Sequence, residues 1–217
     1  MTDYDLDAIR DGEQKELAEA DLSVEYLVDA DLTDANLRRA DLREANLVIA
    51  DLTNADLTEA NLTRAALWQA DFCEADLREA NLAGADLRGA DLTGAYLTEA
   101  DLAAAKLQTA YLWRAYLTEV DLGEAKLHGT NLTDADLTGA ILSCATFTGA
   151  TLTGAELRGA NLTGATLLKA DLSGADLEGA DLTEANLTGA NLRGANLTGA
   201  TLDGARLPDD FDRGDNT

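Results

Sequence analysis

The chain has 217 residues, with 41 Asp and Glu against 16 Lys and Arg and a net charge of −25. That balance argues against direct nucleic-acid binding. The two cysteines, Cys73 and Cys144, are too few for a disulfide framework, and no apolar run is long enough for a membrane helix. The acidic first residues show no signal peptide, so the expected compartment is the cytoplasm.

Residues 1–16 stand outside the pattern that governs the rest. Thr2-Asp3-Tyr4-Asp5 reads as the start of a short helix with Gly12 near its end, which makes this segment an N-terminal cap.

From Leu17 to Leu207 every fifth residue is Leu, except Phe72 and Phe147, giving 39 positions in one phase. Two residues before each stands Ala, from Ala20 to Ala205, except at Glu25, Val120 and Thr130. The residue just before the Leu is usually Asp or Asn. Five is neither a helical nor a strand period, so no straight element could bury every Leu. The pattern works if the chain turns a corner in each repeat. Ala and Leu, two apart, then point inward, Asp or Asn points outward, and the next two residues bend. Glu25 at an inward position predicts an irregular or open first coil.

With Leu as position i, the third residue of such a corner is i+2. Of the 18 Gly, 15 occupy it, from Gly84 to Gly204, as a type II turn favours. Upstream of Gly84 this position is mostly Glu, Asp, Arg or Asn, and another turn type is expected there. Asp and Asn at i−1 can bond nearby backbone as Asx motifs. After Leu207, Pro208 discourages edge pairing and opens an acidic tail, residues 208–217.

Stretches such as Ala30-Asp31-Leu32-Thr33-Asp34 and Ala190-Asn191-Leu192-Arg193-Gly194 resemble the pentapeptide-repeat family over residues 17–207. The resemblance implies an all-β fold, a right-handed quadrilateral parallel β-helix solenoid of about ten coils. At about 4.8 Å per coil the rod is roughly 45–50 Å long.

Four repeats per coil place residues twenty apart above one another. Sorted so, the side of Leu17 carries net −7, that of Leu22 −7 and that of Leu32 −6, while the side of Leu27 and Leu47 carries +1. That last side also collects Val48, Ile49, Trp68, Lys106, Lys126 and His128, a candidate contact surface. At mid-rod, Tyr96 and Tyr116 should stack one coil apart, with Tyr111 and Trp113 between them in sequence. These aromatics suit either partner binding or strand stability.

The acidity has three readings: the motif's own need for Asp, adaptation to high salt, and DNA mimicry. Stacked pairs such as Asp21/Asp41 repel by under about 1 kcal/mol in water, and salt screens that. No nucleophile accompanies His128 at a diagnostic spacing, no Gly-rich phosphate loop is present, and no His/Cys cluster suggests a metal. The sequence therefore predicts a non-enzymatic scaffold for protein–protein interaction, without cofactor or membrane contact. As the resemblance implies, the alternative is a DNA-mimicking modulator of a type II topoisomerase, DNA gyrase.

Overall fold

The computed structural model describes residues 4–209 and Phe211. Thr2 and Asp3, the expected helix start, and Asp210 with residues 212–217 of the expected tail lie outside the described residues.

The chain winds as a four-sided parallel β-solenoid. Every i−1 residue forms a parallel bridge to the residue twenty positions on, from Glu16 with Asn36 to Asn186 with Arg206. One circuit is thus four repeats. Leu and Ala point into a continuous core, and Leu17 through Leu187 are closed to solvent. The larger Phe72 and Phe147 are equally buried. Burying each Leu contributes about 1.5–3 kcal/mol. Two of the irregular inward residues are also enclosed: Val120 is apolar, and the Thr130 hydroxyl donates to the Leu107 carbonyl at 2.7 Å.

Backbone accounting explains the motif. In the repeat Ala50–Asn54, the Ala50 N–H closes the turn onto the Leu47 carbonyl. Asp51 N–H reaches back one coil to the Ala30 carbonyl, and Leu52 and Asn54 donate forward to the carbonyls of Asp71 and Cys73. Only the Thr53 N–H lacks a backbone acceptor, and Asp51 Oδ1 accepts it at 2.9 Å. An Asp or Asn at i−1 therefore completes the pairing of all five N–H groups, as a tightly wound backbone requires.

The corners differ from the sequence expectation. All i+2 residues from Glu19 to Gly204 have positive φ, comprising 23 non-glycine residues and 15 glycines. Glu19, Asp34 and Arg39 lie at φ 58, 57 and 56, so the acidic and basic corners upstream of Gly84 use the same turn as the glycine corners. The left-handed conformation costs an L-residue about 1–2 kcal/mol, and the ladder bonds made at the corners from Glu19 to Glu184 enforce it.

Helix α1, Leu6–Arg10, lies beneath the first coil. The Asp5 carboxylate caps it, accepting from the N–H groups of Asp7 and Ala8. Gly12 follows at φ 73. Ile9 is fully buried against the end of the core, and the Arg10 and Lys15 carbonyls accept from Asp31 and Asn36 N–H. The first coil is consequently closed around Leu17, Leu22 and Leu27, and its opening is confined to half-exposed Glu25. At the other end Pro208 is buried, and half-buried Phe211 packs against the core beside Leu202 and Leu207. No helix among the described residues is long and apolar enough to cross a membrane.

Candidate functional site

Because i−1 residues normally supply the acceptor for the i+1 N–H, replacing Asp or Asn there sacrifices a hydrogen bond worth about 0.5–1.5 kcal/mol. Tyr96, Tyr111, Tyr116, Lys106 and Lys126 all stand at such positions. Their side chains give the coil less than the motif does, so they mark places where the surface rather than the backbone sets the residue.

The aromatic group gathers where the Leu32 side meets the Leu17 side. Tyr96 and Tyr116 stack with ring centroids 4.8 Å apart and 1° between planes, as the twenty-residue spacing predicts. Tyr111 and Trp113 occupy the adjoining side, both exposed, and the Arg114 guanidinium lies 4.5 Å from the Trp113 ring centroid. Beside Tyr116 opens a groove of about 330 Å³ lined by Arg114, Ala115, Tyr116, Asp134, Asp136 and Glu156. Burial pushes the Asp136 carboxyl up, but the Thr138 N–H and hydroxyl, the Thr118 hydroxyl and nearby Arg158 outweigh it and hold it below its ordinary value. Asp136 is thus a fixed anion facing the groove.

The Leu27 side carries a separate surface. Ile49 and Trp68 are exposed and Val48 is half-buried; the Ile49 N–H donates to the Trp68 carbonyl at 3.0 Å, which sets them one coil apart. The structure adds Val24 and Tyr26, 71 % and 60 % exposed, at the same end of this side. Sorting by repeat assigns Val24 to the Leu22 side, although the corner sets it next to Tyr26. Val24 and Ile49 also hold φ 57 and 55. A β-branched residue with positive φ is a conformational outlier, and both are apolar and exposed to water.

Farther along that side Lys106 and Lys126 are bridged neighbours, and Lys106 lies 3.7 Å from Asp86. His128 is exposed and contributes only its carbonyl, which accepts from Thr109 N–H. The ten candidates therefore fall into an apolar group, a basic group farther along the same side, and an aromatic group where the Leu32 and Leu17 sides meet. Several arginines are neutralised locally: Arg88 on this same Leu27 side folds back onto Asp86, and Arg43 and Arg78 on other sides fold back onto Asp41 and Asp76. Among the described residues no group of three His, Cys, Asp or Glu side chains is placed to hold a metal ion. Burial beside Asp71 and Asp91 pushes the Cys73 thiol up to about 12, which makes it a poor nucleophile.

Residues 26–64, 55–94, 95–134, 130–167 and 170–207 match the family described as pentapeptide repeats. HetL, a pentapeptide repeat protein involved in heterocyst differentiation regulation in the cyanobacterium Nostoc sp. strain PCC 7120, is 38% identical. The alignment covers 92% of this chain and 94% of HetL, with a TM-score of 0.57. QnrB1, a plasmid-mediated fluoroquinolone resistance protein, shares the fold in a trypsin-treated variant form. It is 21% identical with a TM-score of 0.57, over 80% of this chain and 88% of that one. A comparison with curated protein sequences finds no match.

Proposed function

We propose, from the premise that this chain belongs to the pentapeptide-repeat family, that it is a non-enzymatic scaffold whose rigid rod docks a protein partner on the Leu27 side. The right-handed winding and the count of about ten coils form part of this reading. The observation that carries it is the pair Val24 and Ile49. Each combines a left-handed backbone that suits glycine with an apolar side chain in water, and each stands in one surface with Tyr26 and Trp68. Neither choice serves the coil: among the 23 non-glycine residues at this corner position, Val24 and Ile49 are the only β-branched apolar ones. A partner covering this surface would recover the apolar area, with Trp68 as the natural anchor. The side's charge of +1 on a rod of −25 also lets a partner approach without the repulsion of the other sides.

Affinity capture from native lysate tests this with wild type and an Ile49→Gly/Trp68→Ala variant. Wild type should retain a partner that the variant loses while its melting temperature is maintained. Identical captures would reject the Leu27 side as the docking surface.

A second reading, DNA mimicry toward a type II topoisomerase such as gyrase, is favoured by the ladder Asp31, Asp51, Asp71 and Asp91, bridged one above another on the Leu32 side. Such a carboxylate row would occupy a basic DNA groove. It predicts salt-sensitive inhibition of supercoiling by purified gyrase, and no inhibition at several-fold excess of the rod would remove it.

A further inference from the structure

We propose that the Tyr96–Tyr116 stack and the groove beside Tyr116 form a second docking site, which takes an arginine-bearing segment of a partner protein. The site lies on the opposite part of the rod from Ile49 and Trp68, so it extends the scaffold reading to two partners and does not depend on the first surface.

Three features converge on a cation. The first is the rings. Tyr96 and Tyr116 are both exposed and parallel, and Tyr116 borders an open groove. The second is the charge around them. Asp136 follows Tyr116 in its column and Glu156 follows Asp136, each one coil on, and both line the groove with Asp134. Asp76 precedes Tyr96 in the same column. A guanidinium entering beside Tyr116 would meet a ring face on one side and carboxylates on the other. That pairs cation–π attraction with charge-assisted hydrogen bonds. The third is a precedent within the chain: Arg114 already lies over Trp113 at 4.5 Å, at the border of this groove.

The tyrosines also deprive the coil of its usual acceptor. Asn36 and Asn196 fill the same column and supply the acceptor to Arg38 and Thr198 N–H. With Tyr96, Tyr111 and Tyr116 in place, the N–H groups of Thr98, Trp113 and Thr118 have no protein acceptor among the described residues. Arginine is preferred over lysine as the ligand because its planar head stacks on a ring while its edge reaches carboxylates.

The probe is a labelled arginine–glycine peptide carrying four arginines, titrated by fluorescence anisotropy at near-physiological salt. Tyr96→Asn/Tyr116→Asn restores the motif residue and alters no charge. It should bind about fivefold more weakly, the scale of one lost cation–π contact, with a melting temperature no lower than that of wild type. Asp136→Asn/Glu156→Gln should weaken binding at least as much. Asp101→Asn/Glu124→Gln, which removes as many charges from the Leu22 side, should leave it unchanged, and so should Ile49→Gly/Trp68→Ala. Absence of binding by wild type, indifference to the tyrosines, or equal loss from both charge pairs would overturn the proposal.

Discussion

The same change, glycine to alanine, should have opposite signs at two corner residues. Gly174 stands at i+2 with φ 69, and a Cβ added there meets nothing within 4 Å. The cost of Gly174→Ala is therefore backbone conformation alone: about 1–2 kcal/mol for an L-residue in the left-handed region. It is offset by about 0.4–1 kcal/mol from the stiffer unfolded chain. The net is a loss of roughly 0.5–1 kcal/mol. Gly123 stands at i+1 and is not among the positive-φ glycines. A Cβ there comes within 3.1 Å of Asp121 Oδ1, which accepts the Gly123 N–H. Ala83 and Ala103 hold the same position in the two preceding coils, with the same bond to Asn81 and Asp101. Gly123→Ala should therefore fit and gain about 0.4–1 kcal/mol. Urea denaturation followed by far-ultraviolet circular dichroism should move the midpoint down for Gly174→Ala and up for Gly123→Ala. Two shifts of the same sign would refute the assignment of left-handed backbone to i+2 alone.

Three further outcomes follow from burial and charge. Leu107→Ala, in the closed middle of the core, should cost about 2–5 kcal/mol, and Leu202→Ala, half-exposed near the end, distinctly less; denaturation midpoints compare them. Arg78 and Arg88 hold the carboxyls of Asp76 and Asp86 below their ordinary value of 3.8. A depressed folded-state value contributes stability that is present above the unfolded value and lost as the pH falls through the folded one. Asp76→Asn/Asp86→Asn should therefore melt below wild type at pH 6, and the gap should close as the pH falls below 3.8. A gap that persists in acid would contradict the pairing. A thiol reagent at pH 8 should label exposed Cys144 and spare Cys73, whose thiol is pushed up to about 12, and mass spectrometry of the peptides reads the difference.

Much of this architecture is legible in the residues. Leu at every fifth position cannot be buried unless the chain turns a corner in each repeat, and the twenty-residue register that the family resemblance implies correctly stacks Tyr96 on Tyr116. The uniform corner was not legible, because Glu19 or Arg39 carries no glycine-like mark. A left-handed residue costs little beside the ladder bonds that impose it, so unbranched polar side chains such as Glu and Arg are tolerated there. The groove beside Tyr116 was also hidden. Asp134 and Asp136 are ordinary corner and motif residues by sequence, and Glu156 departs from the motif only in keeping a carboxylate on a longer side chain. Val24 was missed for a related reason: at a corner, a residue assigned to one side borders the next. Lys106 illustrates the converse, since its spacing advertises a cation and the fold brings Asp86 within 3.7 Å of it.

Both proposed surfaces require that residues twenty apart lie in register, and a single distance tests this. Spin labels at Thr33 and Thr153, with Cys73 and Cys144 changed to Ser, should give one narrow electron–electron distance. Six circuits at about 4.8 Å predict about 29 Å between the label sites. A three-sided circuit would instead need eight turns for the same stretch. A narrow peak near 38 Å would then contradict the four-sided rod.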